Sequence, residues 1–280
     1  MHEWPLVIFT LLMQLAIGCV VTVWYCLSFS FQSLDVEKRR IIVIPALLCA
    51  FIIGCAGLLA STTHLGNPLH AMYTFNHLGS SWMSREILFT ALFMALLFLT
   101  VAIVLIKKRL PIFLLAITAL VGIVDIFAMS AIYDNSRFLL WNGWGTYAGF
   151  YGSALMMGSL LGAACMQSSL RKHSDNVVSL MTPLFRLYIV GILLATLAVI
   201  VMFAVSSPNL VNGITIKTMA DNVEWLTVAR SVLLMVSLLL LVNYVVRKRG
   251  ELPVPVLTLA LVITVTGEFL GRYAFFSVGG

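Results

Sequence analysis

The chain has 280 residues, of which 61% are hydrophobic and only 10% are charged, and its formal net charge is +6. So few charged residues cannot cover the surface of a water-soluble domain of this length, which excludes that class and leaves lipid as the solvent. The positive charge does not indicate nucleic-acid binding, because the basic residues stand in short clusters between apolar runs.

Apolar runs of spanning length follow one another along the chain, and in lipid each must be a helix because its backbone has to satisfy its own hydrogen bonds. A β-barrel is excluded, since 87–106 is apolar on all sides instead of alternating. The sequence therefore predicts an all-α membrane protein, a single domain over 1–280 with about eight transmembrane helices. The predicted spans are 6–30, 41–62, 86–106, 110–133, 145–167, 184–206, 225–246 and 253–276.

The first span is predicted to stay in the protein, because Met1–Pro5 carries no Lys or Arg and 6–31 is too long for a signal-peptide core. All five cysteines fall inside predicted spans, without a CxxC pair or metal-ligand spacing. No iron–sulfur cluster or zinc site is therefore expected in this chain. These cysteines are Cys19, Cys26, Cys49, Cys55 and Cys165.

The loops between the spans predict the orientation. Basic clusters follow the odd-numbered spans, whereas the even-numbered loops carry few basic residues, and cytoplasmic loops are the ones enriched in Lys and Arg. Both termini are therefore predicted to be periplasmic, in a multi-pass protein of the bacterial inner membrane. The long loops 63–85 and 207–224 then face the periplasm, where a soluble partner would dock. The basic clusters are 38–40, 107–109, 171–172 and 247–249.

Proton chemistry is predicted where the second span ends and the third begins. His64 closes the second span, and Arg85 with Glu86 opens the third. A His and a Glu brought together there could accept the two protons released when a hydroquinone is oxidised. The alternative is an ordinary helix-end His beside lipid headgroups and a Glu that stabilises a helix N-terminus.

Three further ionisable residues lie at membrane depth, where each is a functional candidate. Asp125 stands in the fourth span without a charged residue within one turn, so it must face protein or water, or be protonated. Glu268 and Arg272 are four residues apart in the eighth span. An intrahelical ion pair is the interpretation that this spacing favours, and both could line the same cavity as His64.

Haem b is not predicted, because bis-histidine ligation needs His residues deep within two helices. Here His2, His70 and His77 lie in predicted periplasmic segments, and His173 lies in a predicted cytoplasmic loop. Electrons from a quinol would then pass directly to a cluster in another subunit.

Four local motifs, in the right order along nearly the whole chain, resemble the membrane anchor subunit of dimethyl sulfoxide (DMSO) reductase, the DmsC family. They are His2-Glu3-Trp4-Pro5-Leu6, His64-Leu65-Gly66 with Pro68 and Ala71, Leu78-Gly79-Ser80 through Ser84-Arg85-Glu86-Ile87, and Gly267-Glu268 with Gly271-Arg272. The chain departs from the family in its short tail, 275–280, and in the loose match around Trp82-Met83 and the central loops.

The resemblance implies a subunit that binds menaquinol and anchors two hydrophilic subunits, one with four [4Fe-4S] clusters and one with molybdopterin. It implies a quinol-site role for His64 and for Glu86, with Arg85, Glu268 and Arg272 near the quinol. No haem, cluster or molybdopterin is expected in this chain itself. The terminal electron acceptor is decided by another subunit.

Three alternatives remain open from the sequence. The anchor of a polysulfide- or tetrathionate-type reductase would use a similar quinol-binding module. A secondary transporter would show paired broken helices and repeat symmetry, and neither pattern is evident in the spans. A passive scaffold would leave His64 and Glu86 merely interfacial.

Overall fold

The computed structural model describes residues 4–62, 78–136, 138–173, 177–205, 209–211, 214–216, 221–247 and 252–277. Within these ranges the main elements are eight helices that are long and apolar enough to cross a membrane. The predicted all-helical bundle is therefore confirmed. The helices are α1 Trp4–Phe29, α2 Val36–Thr62, α3 Trp82–Ile106, α4 Ile112–Asp134, α5 Trp144–His173, α6 Val177–Val205, α7 Asp221–Arg247 and α8 Val254–Ser277.

The described residues also contain a β-hairpin that the sequence does not predict. Strands β1 (Asn209–Val211) and β2 (Ile214–Ile216) form a short antiparallel hairpin with Leu210 opposite Thr215. The hairpin lies in the connection between α6 and α7, which the sequence predicts as a long loop.

Helices α1 and α5 form the centre of the bundle and are the most buried of the eight spans. Their backbones touch where Gly18 faces Gly158: a Cβ atom added to Gly158 would lie 2.0 Å from the carbonyl carbon of Gly18. Small residues allow such close approach between membrane helices, where dispersion rather than the hydrophobic effect drives packing. Around this pair, α2 and α4 pack on α1, while α6 and α8 pack on α5.

The start of α1 and the end of α8, the first and last described helices, lie at the same face of the bundle. Trp4 at the start of α1 stacks on Phe269 and Tyr273 near the end of α8, with ring centroids 5.9 and 5.1 Å apart. We call this side the N-terminal face. Because successive spans alternate in direction, it also holds the end of α2, the start of α3, the end of α4, the start of α5, the end of α6 and the start of α7. The sequence predicts this face to be periplasmic.

Candidate functional site

The first buried polar group of the membrane region lies between α3 and α4. Asp125 is completely buried, and the Thr90 hydroxyl lies 3.0 and 2.9 Å from its two carboxylate oxygens. A hydroxyl has one proton, so it donates to one of these oxygens at a time. Among the described residues, no cation pairs with Asp125.

Glu86 stands one helical turn before Thr90, on the same side of α3 and towards the N-terminal face. Its side chain is half-buried, and it bonds to no described cation. Glu86, Thr90 and Asp125 therefore form a line of proton-carrying side chains that runs from the helix start into the bundle. We call these three side chains the α3–α4 carboxyl line.

Arg85 lies beside Glu86 in sequence but does not pair with it. Its guanidinium donates to the carbonyl oxygens of Leu78 and Gly79, both at 2.8 Å, and stacks 4.2 Å from the centre of the Trp82 ring. These contacts close the turn that leads into α3.

His64 lies outside the described residues, as do His2, His70 and His77. The meeting of His64 with Glu86 therefore stays a prediction.

The second buried polar group joins α5, α7 and α8. Glu268 of α8 is 2% exposed and accepts hydrogen bonds from Arg230 of α7: Nε lies 3.0 Å from Oε1, and Nη2 lies 2.9 and 3.1 Å from the two oxygens. Ser153 of α5 also donates to Glu268. The carboxylate thus holds three helices together.

The sequence-based interpretation of an intrahelical pair between Glu268 and Arg272 is wrong in its choice of partner. Glu268 of α8 pairs with Arg230 of the neighbouring helix α7. Arg272 instead donates from Nη2 to Gln14 Oε1 of α1, at 2.7 Å. The Arg272 guanidinium also lies over the Phe150 ring, with Cζ 3.8 Å from the ring centre. A spacing of four residues correctly places both side chains on one helix face, but a neighbouring helix offers Glu268 a bidentate donor.

Gly271 makes the pair between α7 and α8 possible. A Cβ atom at this position would lie 2.3 Å from Cδ of Arg230. The arginine therefore crosses α8 over the space that the missing side chain leaves, and it reaches Glu268 one turn away.

A cavity opens beside this second group, between α5, α6, α7 and α8. The space inside it that the centre of a water molecule can occupy is about 70 Å³, and all of its empty space, with the open solvent at its mouth, is about 690 Å³. Arg230, Glu268, Arg272 and Ser153 form its polar wall, and the rest is mostly apolar. Neither Arg85 nor Glu86 lines this cavity. Four of the five residues predicted to surround one quinol are described, and they lie in two places: Arg85 and Glu86 at the start of α3, and Glu268 and Arg272 beside the cavity.

An aromatic cluster covers the second group at the N-terminal face. The Trp141 ring stacks on Phe275 with centroids 5.2 Å apart, and its Nε1 donates to the Phe275 carbonyl oxygen at 2.8 Å. Tyr133 and Phe150 contact the same Phe275 ring. The cluster separates Arg272 from the helix ends.

Sequence reasoning missed four residues that build these groups: Thr90, Gln14, Ser153 and Arg230. Arg230 falls within the predicted span 225–246, and intramembrane charges normally find a partner. Gln14 is the one amide in the apolar run 6–31, which could have identified it. Thr90 and Ser153 carry no such signal, because hydroxyls in membrane helices commonly bond to their own backbone.

Metal ligation has no support within the described ranges, where no three His, Cys, Asp or Glu side chains converge. The ionisable groups of both sites are instead suited to proton exchange and to hydrogen bonding.

Comparison with known proteins gives one family over residues 1–278, described as DMSO reductase anchor subunit (DmsC). The sequence is 28% identical to the anaerobic dimethyl sulfoxide reductase subunit YnfH of Escherichia coli. It is 27% identical to the C subunit of anaerobic dimethyl sulfoxide reductase from Haemophilus influenzae and 25% identical to the C subunit from Escherichia coli. Each match covers 99% of this sequence and 95% of the relative. No solved structure matches significantly.

Proposed function

The chain belongs to the DMSO reductase anchor subunit family, and from this premise we propose that it oxidises menaquinol in the bacterial inner membrane. Membership makes it a multi-pass membrane anchor with catalytic and electron-transfer partner subunits. The finer proposal is that electrons leave the quinol here and pass to a partner with four [4Fe-4S] clusters, and from there to a molybdopterin subunit. The relatives it matches favour a DMSO-type complex over a polysulfide or tetrathionate one.

This proposal rests mainly on the α3–α4 carboxyl line. Oxidising a hydroquinone to a quinone releases two electrons and two protons, so the site needs proton acceptors as well as an electron exit. Glu86 stands near the start of α3, and Thr90 links its side of the helix to the buried Asp125. Two carboxyl groups without a described cation are suited to take up and release protons.

The proposed sequence of events follows from the positions along α3. Menaquinol enters between helices at the N-terminal face, His64 accepts the proton of one hydroxyl, and Glu86 accepts the other. The two electrons leave to the docked iron–sulfur subunit. If that face is periplasmic and the reductase docks there, the protons released by quinol oxidation and those consumed by the terminal reduction are on the same side of the membrane. Turnover then moves no charge across the membrane.

The test compares assembled complexes that carry Glu86→Gln or Asp125→Asn with the unsubstituted complex. Quinol-dependent reduction is measured beside reduction driven by a dye that feeds electrons straight to the soluble subunits. We expect Glu86→Gln to lower the quinol-dependent rate by about 100-fold or more, as for the loss of a general base, and to leave the dye-driven rate unchanged.

Glu37→Gln is the matched control, because Glu37 is a carboxylate at the opposite face with a side chain 61% exposed. It should leave both rates unchanged. Full quinol-dependent activity in Glu86→Gln would favour the passive scaffold instead. A membrane potential built by the reconstituted complex during quinol turnover would contradict the electroneutral scheme.

A further inference from the structure

The polar wall of the cavity lies at a depth where lipid tails are found, and the cavity extends from there to Leu140 and Asn142 at the N-terminal face. At 1.5 Å per residue, Glu268 is about 4 Å and Arg272 about 10 Å from the middle of α8, and Arg230 is about 6 Å from the middle of α7. The hydrocarbon core of a bilayer is about 30 Å thick. The polar wall therefore lies well inside the apolar part of the membrane, and the phosphate of a bilayer lipid would stay several ångströms above it.

The same wall carries two guanidinium groups but one carboxylate. Glu268 pairs with Arg230, whereas no described carboxylate lies within ion-pair distance of Arg272. A guanidinium has five N–H donors, and Arg272 uses one of them on a described residue. Gln14 is fully buried beside it, and its Nε2 finds no acceptor among the described residues. Buried donors without acceptors are costly. Arg272 lines the cavity, so an oxygen-bearing ligand there would satisfy its unused donors.

The walls of the cavity are mostly apolar and suit an apolar ligand that carries a few oxygen atoms. Phe150 and Gly149 of α5 and Ala198 of α6 belong to these walls, and α5 and α6 are in direct contact there, since a Cβ atom on Gly149 would lie 3.5 Å from Ala198 Cβ. Helix α6 packs on α5, and α7 packs on α8, but α6 and α7 scarcely touch each other. The gap between α6 and α7 faces the lipid, so a ligand dissolved in the membrane can reach the cavity sideways.

We propose that this cavity binds the ring of a membrane quinone at a site separate from the one predicted at His64 and Glu86. The ring would lie among the apolar walls, and its oxygens would accept from the unused donors of Arg272 and lie close to Ser153. The choice of a quinone as occupant rests on the proposed function, which makes quinones the mobile substrates of this complex. Depth argues against a phospholipid headgroup, because the phosphate would have to leave the interface.

A photoreactive quinone analogue tests the proposal in membranes that contain the whole complex. After illumination, labelled peptides are identified by mass spectrometry. We expect labelling of α5, α6, α7 or α8 at residues that line the cavity, competition by unlabelled quinone, and no competition by added phosphatidylglycerol. Labelling confined to α1–α4, or displaced by the phospholipid and not by the quinone, would overturn it.

A pair of adjacent substitutions gives a matched control. Ala198→Phe fills the cavity, whereas Leu197→Phe places the same ring on a side chain that is 47% exposed on the outer surface of the bundle. Cavity labelling should fall at least tenfold in Ala198→Phe and stay at the parent level in Leu197→Phe. Equal labelling in both would contradict a site in this cavity. If Ala198→Phe does not assemble, the competition measurement on the unsubstituted complex still decides the question.

The two proposals can fail separately. Cavity labelling that persists while Glu86→Gln retains full quinol turnover would refute the role of Glu86 and leave the cavity site standing. Loss of turnover in Glu86→Gln without any cavity labelling would refute the cavity site and leave quinol oxidation at α3 standing.

Discussion

Removing one member of the ion pair between Arg230 and Glu268 should destabilise the protein far more than removing both members together. The closest N···O distances are about 3 Å, which corresponds to roughly 5 kcal/mol of attraction at an effective dielectric constant of about 20. Truncating one partner leaves the other charge buried in an apolar setting, at a cost of about 3–5 kcal/mol. Glu268→Leu and Arg230→Met should each show that loss.

The double variant should lie within about 1–2 kcal/mol of the parent, because two apolar side chains then replace two buried charges. The assay is reversible unfolding in mixed micelles, with the free energies combined in a double-mutant cycle. Asp35→Asn serves as the control and should be silent, because Asp35 pairs with Lys38 on the opposite face and both side chains of that pair are exposed. Single variants that cost under 1 kcal/mol, or a double variant that costs the sum of the singles, would refute the reasoning.

Three other substitutions have definite expected outcomes. Gly158→Ala forces a Cβ atom against the backbone of α1 and should lower the unfolding free energy by about 1–3 kcal/mol, whereas Gly79→Ala, with open space around it, should not change it. Gly271→Ala should displace Arg230 and lower the unfolding free energy of the parent protein. In an Arg230→Ala background the same substitution should be nearly neutral, and equal effects in both backgrounds would contradict the contact. Thr90→Val should slow quinol-dependent reduction without affecting dye-driven reduction, and an unchanged quinol rate would remove Thr90 from the proton route.

The spans were predictable because their physical cause is local. A run of about 20 apolar residues in lipid has one way to satisfy its backbone, and the predicted and observed helices agree to within a few residues at most ends. Three ends differ by more. Helix α6 begins at Val177 rather than 184, because the helix continues through Pro183. The other two lie where polar residues extend a helix beyond its apolar part: α2 begins at Val36 rather than 41, and α5 ends at His173 rather than 167. Hydropathy does not detect such extensions, since these turns project towards the interface.

The partners within the bundle were not predictable to the same degree. Spacing along one helix places Glu268 and Arg272 on a common face, but which helix packs against that face depends on tertiary contacts such as the close approach of α1 and α5. Arg230 lies 38 residues away from its partner in the sequence, and Gln14 lies 258 residues away from Arg272. One sequence without an alignment carries no signal for such pairs.

A purely structural role explains part of the second group but not all of it. The pair of Arg230 and Glu268 would by itself fix the register of α7 against α8, a known use of buried charges. Arg272 adds a second cation with mostly unused donors beside an open cavity, and register alone requires neither. The variant that replaces both Arg230 and Glu268 with apolar residues separates these roles, since it removes the pair and keeps Arg272. If this variant folds and still takes up quinone label in the cavity, the pair is structural and Arg272 is the binding residue. If label is lost while the fold persists, the pair of Arg230 and Glu268 itself takes part in binding.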